Sequence, residues 1–301
     1  MKIIVMTGGT SGFGAIAAQR ITAAPDTRLL LGARGVAPAG TEALPLDLAV
    51  LGSVRSFAAS VIDVLGDAWI DALVFNAGML NRTSETRTVD GFEATFAVNH
   101  LAHYLLLRML LGRLARGAVV ILTTSGAHDP AEGAGLPTPR HAEVCMLAHP
   151  DRDPDVEDRP AVAGRRAYTA SKLCNVLTVR ALAALAQTRD RDIIGIAYCP
   201  GQTPGTGLVR GMPLHLRAAW RLFGGPLGAV VPQFNSRQAA GRALADLALG
   251  VVRPPGKEYY ATLRRGVLTW REPSDLARRD DLASTLWRDS AGLVQVTTAP
   301  I

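Results

Sequence analysis

The apolar run Ile3-Ile4-Val5-Met6 breaks directly into a glycine-rich turn, Thr7-Gly8-Gly9-Thr10-Ser11-Gly12-Phe13-Gly14, and a helical pattern follows to about Ala24, where Pro25-Asp26 stops it. A buried strand handed through glycines to a helix is the opening unit of a parallel α/β sheet. Glycines at that junction also let backbone N–H groups approach a pyrophosphate at the positive end of the helix. Ordinary tight packing produces similar turns, so this one speaks first for the fold.

The pattern continues in the same sense. A second strand, Arg28 to Gly32, ends in Ala33-Arg34, and a short third ends in Leu46-Asp47-Leu48. About a dozen residues rich in Gly, Pro and Ala separate them, so the crossover helix expected between parallel strands is missing or vestigial. A helix near Ser53 to Leu65 leads to the strand Ala72 to Phe75 and then Asn76-Ala77-Gly78. Next come a helix around Phe92 to Arg113, a strand from Ala118 to Thr123, a helix from about Tyr168 to Gln187 and a strand from Ile193 to Tyr198. The spacing further predicts a helix from Ser236 to Leu249, a strand around Glu258 to Thr262, and a terminal helix from Ser274 to about Leu293, opened by Ser274-Asp275. Strand and helix alternate throughout, which predicts a doubly wound, Rossmann-like parallel sheet forming one domain over residues 1–301.

Two stretches interrupt the alternation. Residues 128–164 are polar and proline-containing, and a loop that long inside a compact domain is usually functional or mobile. Residues 202–232 mix Gly and Pro with Leu214, Trp220, Leu222 and Phe223, and read as a segment covering a substrate. The apolar part from Leu214 to Leu227 points to a fairly large, hydrophobic one.

Composition excludes several classes. With 48% hydrophobic and 19% charged residues the chain is neither disordered nor fibrous. Its net charge of +6 is carried by arginines scattered along the sequence, since Lys2, Lys172 and Lys257 are the only lysines, and scatter lacks the basic stripe of a nucleic-acid binder. Cys145, Cys174 and Cys199 form no CxxC pair, so neither a disulfide framework nor a metal site is expected, and a reducing cytoplasm fits. No uncharged apolar run approaches the roughly 18 residues of a membrane span.

Tyr168 and Lys172 are four apart on a predicted helix and so share a face. A free tyrosine titrates near pH ~10, and at about 1.4 kcal/mol per pKa unit, acid/base work near neutrality needs roughly 4 kcal/mol of help. A unit charge about 4 Å away at an effective dielectric of about 20 supplies that order of energy. The lysine is therefore expected to make the phenol more acidic.

The Gly8, Gly12, Gly14 spacing departs from GxGxxG and matches TGxxxGxG, the form found in the short-chain dehydrogenase/reductase family. The chain resembles that family over most of its length. Asn76-Ala77-Gly78 resembles its NAG motif, Asn99 its active-site asparagine, Ser125 its catalytic serine, Tyr168 and Lys172 its YxxxK pair, and Pro200-Gly201 the pair following the sixth strand. The resemblance implies Tyr168 as general acid/base, Lys172 holding the nicotinamide ribose and depressing the phenol pKa, Ser125 binding the substrate oxygen, and Asn99 supporting a proton relay. Gly8, Thr10, Ser11, Gly12, Phe13, Gly14, Asp47, Leu48, Asn76, Ala77, Gly78, Pro200, Gly201 and Thr203, with Tyr168 and Lys172, would hold the cofactor. Arg34 closes the second strand where NAD enzymes commonly place a carboxylate, and an arginine there suits the 2′-phosphate of NADP(H).

Within the family the likeness is to retinol dehydrogenase-like and protochlorophyllide reductase-like members. It is carried by the segment Phe96 to Leu106, by Ser171-Lys172-Leu173-Cys174-Asn175, and by Pro200 to Leu208. Photochemistry does not follow, and Cys174 reads better as a small buried helix residue. The expectation is a cytoplasmic NADP(H)-dependent carbonyl reductase acting on a bulky hydrophobic small molecule, a general detoxifying enzyme or one of secondary metabolism. Alternatives are reduction of a carbon–carbon double bond and a non-catalytic dinucleotide-binding redox sensor. Family analogy adds a possible homo-oligomer, a dimer or tetramer built on the helices flanking the active-site strand, although this branch of the family includes monomers.

Overall fold

The computed structural model describes residues 1–205, 234–257 and 259–296. Its first unit is β1 (Lys2–Thr7), the glycine turn and α1 (Gly12–Thr22), followed by β2 (Thr27–Ala33), β3 (Glu42–Pro45), α2 (Leu51–Leu65) and β4 (Ile70–Phe75). Then come α3 (Ala94–Phe96), a π-helical turn (Ala97–Leu101), α4 (Ala102–Leu110) and β5 (Leu114–Thr123). The second half contributes α5 (Val144–Ala148), α6 (Pro160–Ala184), α7 (Ala186–Asp190), β6 (Ile194–Cys199), α8 (Arg237–Ala248), β7 (Tyr260–Arg264), β8 (Val267–Trp270) and α9 (Asp280–Leu293).

The strands form one eight-stranded sheet in the order β3-β2-β1-β4-β5-β6-β7-β8. Every neighbouring pair is parallel except β7 and β8. Because both faces are covered by helices, the strands are apolar on both sides. Ile3, Val5, Leu73, Phe75, Val120 and Leu122 enter the core under α2, α4, α6 and α9, whereas Ile4, Met6, Val74, Val119 and Ile121 enter the core under α1 and α8. This two-residue alternation is why a single uninterrupted apolar run serves two cores.

Chain order reverses at β1, which has β2 on one side and β4 on the other. The register pairs Thr7 with Phe75, Phe75 with Leu122 and Thr123 with Tyr198, so the carboxyl ends of β1, β4, β5 and β6 finish together. In open α/β sheets the crevice outside those ends, at the switch point, is where ligands bind.

The doubly wound sheet is as expected, and residues 34–41 connect β2 to β3 without a helix. Several boundaries are corrected. Helix α6 begins at Pro160, two turns before the expected Tyr168, with proline at a position whose missing N–H costs nothing. The stretch 128–164 is therefore no plain loop. It holds α5 and short 3-10 turns at Pro130–Glu132 and Pro150–Arg152, and the side chains of Arg140 and His141 converge on Asp153. The last helix starts at Asp280, after a 3-10 turn at Leu276–Arg278, because the Asp280-Asp281 pair suits a helix N-terminus better than the earlier Ser274-Asp275. Strand β8 was not expected at all. It returns through a two-residue turn, Arg265-Gly266, with φ of +50° and +75°.

Candidate active site

The carboxyl ends of the strands open into a cavity of about 1620 Å³. Every expected site residue except Asn99 lines it: the glycine turn with Thr10, Ser11 and Phe13; Arg34 after β2; Asp47 and Leu48 after β3; Asn76, Ala77 and Gly78 after β4; Ser125 after β5; Tyr168 and Lys172 on α6; and Pro200, Gly201 and Thr203 after β6.

At one end the backbone itself is the binding surface. Gly8 has φ +70°, and a Cβ there would sit 2.6 Å from the Ala77 Cα, so only glycine lets β1 turn against the loop after β4. A Cβ on Gly14 would overlap the Gly8 carbonyl oxygen, which holds the start of α1 against the turn. Ser11 is the N-cap of α1 but makes no side-chain cap, leaving first-turn N–H groups facing the cavity. Such a terminus accepts a pyrophosphate. Arg34, exposed at the cavity edge, brings a cation and no carboxylate to the end of β2. This donor set fits a phosphorylated dinucleotide.

A chain of hydrogen bonds ties that end to the reacting groups. Asn76 Nδ2 donates to the Gly8 carbonyl (2.9 Å), Asn76 Oδ1 accepts from Thr123 Oγ1 (3.0 Å), and the Thr123 carbonyl accepts from Lys172 Nζ (3.0 Å) and Asn175 Nδ2 (3.1 Å). Ser125 lies near enough to Tyr168 to act on its phenol, and its Oγ accepts from Ala127 N at 3.2 Å. The Lys172 ammonium lies 5.8 Å from the centroid of the Tyr168 ring.

Electrostatics correct one expectation. Burial pushes the Tyr168 phenol up to about 12, with the Ser125 hydroxyl opposing it, so the lysine does not make this phenol acidic. Lys172 is committed to the Thr123 carbonyl and is itself pulled down by burial to about 8.

Asn99 is fully buried in the π-helical turn, away from the cavity surface. Its Oδ1 accepts from Met79 N (2.8 Å), and its Nδ2 donates to the Met79 carbonyl (2.9 Å) and to Ser171 Oγ (3.0 Å). It braces the segment after Gly78 against α6. Cys174 is a core residue with no exposure.

Sequence reasoning missed three supports. Thr7 Oγ1 accepts from Asn76 N (3.2 Å) and meets His103 Nε2 at 2.9 Å, while His103 Nδ1 donates to the Asn99 carbonyl (3.2 Å). That second bond fixes the tautomer, so Thr7 donates to Nε2. Asn235 Nδ2 donates to the carbonyls of Pro200 (3.0 Å) and Leu263 (2.7 Å), fastening the loop after β6 to β7. Cys199 Sγ accepts from Gly126 N at 3.1 Å. Thr7 lay inside the quoted glycine turn, but nothing in the sequence pairs His103 or Asn235 with its partners. The expected covering segment, residues 202–232 including Leu214 to Leu227, lies almost wholly outside the described residues.

Residues 2–135 match the family model for short chain dehydrogenase. Protochlorophyllide reductase A of Oryza sativa subsp. japonica is 28% identical over 97% of this chain and 80% of its own length. The chain is similar to short-chain dehydrogenases over residues 2–135 and to oxidoreductases over most of its length. Another relative, from Streptomyces sp. (strain C5), is named as a candidate daunorubicin C-13 ketoreductase, and is 29% identical over 97% of this chain and 92% of that protein. The same fold is seen in the alcohol dehydrogenase of Thermococcus sibiricus complexed with 5-hydroxy-NADP, 21% identical with a TM-score of 0.58 over 91% of this chain and 99% of that one. Among the described residues no helix is long and apolar enough to cross a membrane, and no His, Cys, Asp and Glu cluster could hold a metal.

Proposed function

We propose that this protein is an NADP(H)-dependent carbonyl reductase of the short-chain dehydrogenase/reductase family that interconverts a ketone or aldehyde with an alcohol on a fairly bulky, hydrophobic small molecule. One observation carries the reading: Ser125, Tyr168 and Lys172 meet in the same cavity as the glycine turn and Arg34. Bound there, a nicotinamide dinucleotide would supply the hydride that the carbonyl carbon accepts. The chain's own groups attend to the oxygen. Negative charge grows on it as the carbonyl is reduced, and the O–H groups of Ser125 and Tyr168 are the donors placed to stabilise it. Burial keeps Tyr168 protonated at neutral pH, so the phenol holds the proton that completes the alcohol.

Arg34 would pair with the 2′-phosphate, and the NADP derivative in the Thermococcus sibiricus complex agrees with that choice. Met79, Leu80, Ala94, Val98, Leu136 and Phe234 line the cavity, in keeping with an apolar substrate. The Streptomyces relative supports a tailoring role in secondary metabolism. Free thiols at Cys145, Cys174 and Cys199 suit a reducing cytoplasm.

The test is NADPH oxidation with a panel of bulky aldehydes, ketones and enones, comparing wild type with Tyr168→Phe. Loss of the proton donor is expected to cost about 10²–10⁴-fold in kcat. Equal turnover by the two proteins would overturn this mechanism, and tight NADPH binding without turnover of any compound would favour a redox sensor.

A further inference from the structure

Strand β5 ends at Thr123, and the last sheet-like bond on this segment runs from Thr124 N to the Tyr198 carbonyl (2.8 Å). Ser125 therefore stands one residue beyond the sheet, in extended backbone (φ −151°, ψ 141°), lining the cavity, with its Oγ accepting a long 3.2 Å bond from Ala127 N. The next peptide unit nevertheless has both of its poles occupied by side chains. Its N–H, on Gly126, donates to Cys199 Sγ at 3.1 Å, and its carbonyl, on Ser125, accepts from His128 Nδ1 at 2.7 Å and, more weakly, from the His128 backbone N–H at 3.4 Å. Cys199 comes from the end of the neighbouring strand and His128 from the turn that follows, so the peptide is gripped from two sides.

We propose that Cys199 and His128 are positioning residues that clamp the Ser125-Gly126 peptide and so aim the Ser125 hydroxyl at Tyr168. Rotation of a peptide plane about its flanking bonds would swing Ser125 Cα and its side chain, and both poles must let go before that happens. The His128 ring cannot drift, because it is almost fully buried and packs edge-on against Tyr260 at 5.4 Å between centroids. Its Nδ1 carries the hydrogen, since the group opposite is a carbonyl. Cys199 is also buried, and its sulfur is a weak acceptor, so Sγ selects the orientation of the Gly126 N–H rather than adding much strength. Neither residue need touch the substrate. Both act through Ser125, and the inference rests on the proposed carbonyl chemistry only for its effect on rate.

Four single variants test it. Cys199→Val removes the acceptor and keeps the volume, while Cys199→Ser restores an acceptor; His128→Leu removes the donor, while His128→Asn puts an amide N–H close to the Nδ1 position. A hydrogen bond of ordinary net worth corresponds to a loss of about 2–13-fold. The Val and Leu variants are expected to lose kcat by about that much while the NADPH dissociation constant stays within about twofold. The Ser and Asn variants should recover most of the loss, and the Val/Leu double variant should lose less than the product of the singles, because both side chains hold one peptide.

Crystal structures of the same variants give a readout independent of turnover. The distance between the Ser125 and Tyr168 hydroxyls is expected to lengthen in the Val and Leu variants and to match wild type in the Ser and Asn variants. If that distance is unchanged in both of the former, or if their losses fall on NADPH affinity instead of kcat, the clamp is overturned. Wild-type protein that turns over no carbonyl would sink the proposed function instead, leaving the clamp to be judged from the Ser125–Tyr168 distance.

Discussion

Arg34 and Asn99 mark the two kinds of residue that surround this cavity. Arg34 is free to choose a ligand, whereas Asn99 spends its whole side chain on Met79 and Ser171. Hydrogen bonds to charged groups contribute about 1.5–3 kcal/mol, so Arg34→Asp is expected to weaken NADPH by at least about tenfold. NADH should be nearly unaffected or gain from the new carboxylate. Fluorescence titration with both nucleotides decides it, and equal losses would remove NADP(H) selectivity from this position. Asn99, by contrast, was legible as a site residue only through its place in the motif. What it does depends on Met79 and Ser171, which lie 20 and 72 residues away along the chain.

At the scale of elements, the position of the glycine turn depends on how closely α1 can be approached. A Cβ on Gly241 of α8 would lie 2.6 Å from the Phe13 carbonyl oxygen and 2.7 Å from the Ile16 side chain. Overpacking of this kind costs about 1–3 kcal/mol. Gly241→Ala should therefore lower the urea midpoint and also weaken NADPH binding, since relief of the clash pushes on the first turn of α1. A variant as stable and as tight-binding as wild type would show that the two helices separate freely. The sequence pattern placed α8 to within a residue at its N-terminus, with Ser236 capping through Ala239 N. Gly241 looked like an ordinary helix-weakening glycine, because the backbone it meets belongs to residues more than 200 positions earlier.

For the whole molecule, α9 settles which faces remain open. Trp287 is fully buried edge-on against Tyr104 at 5.0 Å, Tyr104 donates to the Trp287 carbonyl (2.6 Å), and His100 meets Ser290 at 2.9 Å. The chain's own last helix thus covers α4 and α6, the helices on which family analogy would build an oligomer. A monomer is expected by sedimentation, and Trp287→Ala, at a cost of about 3–5 kcal/mol, should loosen α9 and promote self-association. A wild-type dimer that survives this substitution would place the interface elsewhere.

Stability should also depend on pH through the buried histidines. Burial lowers His103 to about 4 and His100 to about 3, so between these values and the ordinary 6.5 the unfolded chain binds the extra protons and stability falls as pH falls. Glu93, raised to about 7 by burial, acts in the opposite sense above 4.5, but as one group against two. The urea midpoint should rise from pH 5 to pH 6.5, and a flat or falling profile would contradict these assignments. The chain by itself determined the alternation of strand and helix, the glycine turn and the order of the motifs, because these follow from local periodicity and from what glycine alone can do. Only the tertiary structure decided the charge state of Tyr168, the bracing role of Asn99 and the grip on Ser125. Desolvation and hydrogen-bond partnership are properties of surroundings assembled from distant segments, and no local pattern encodes them.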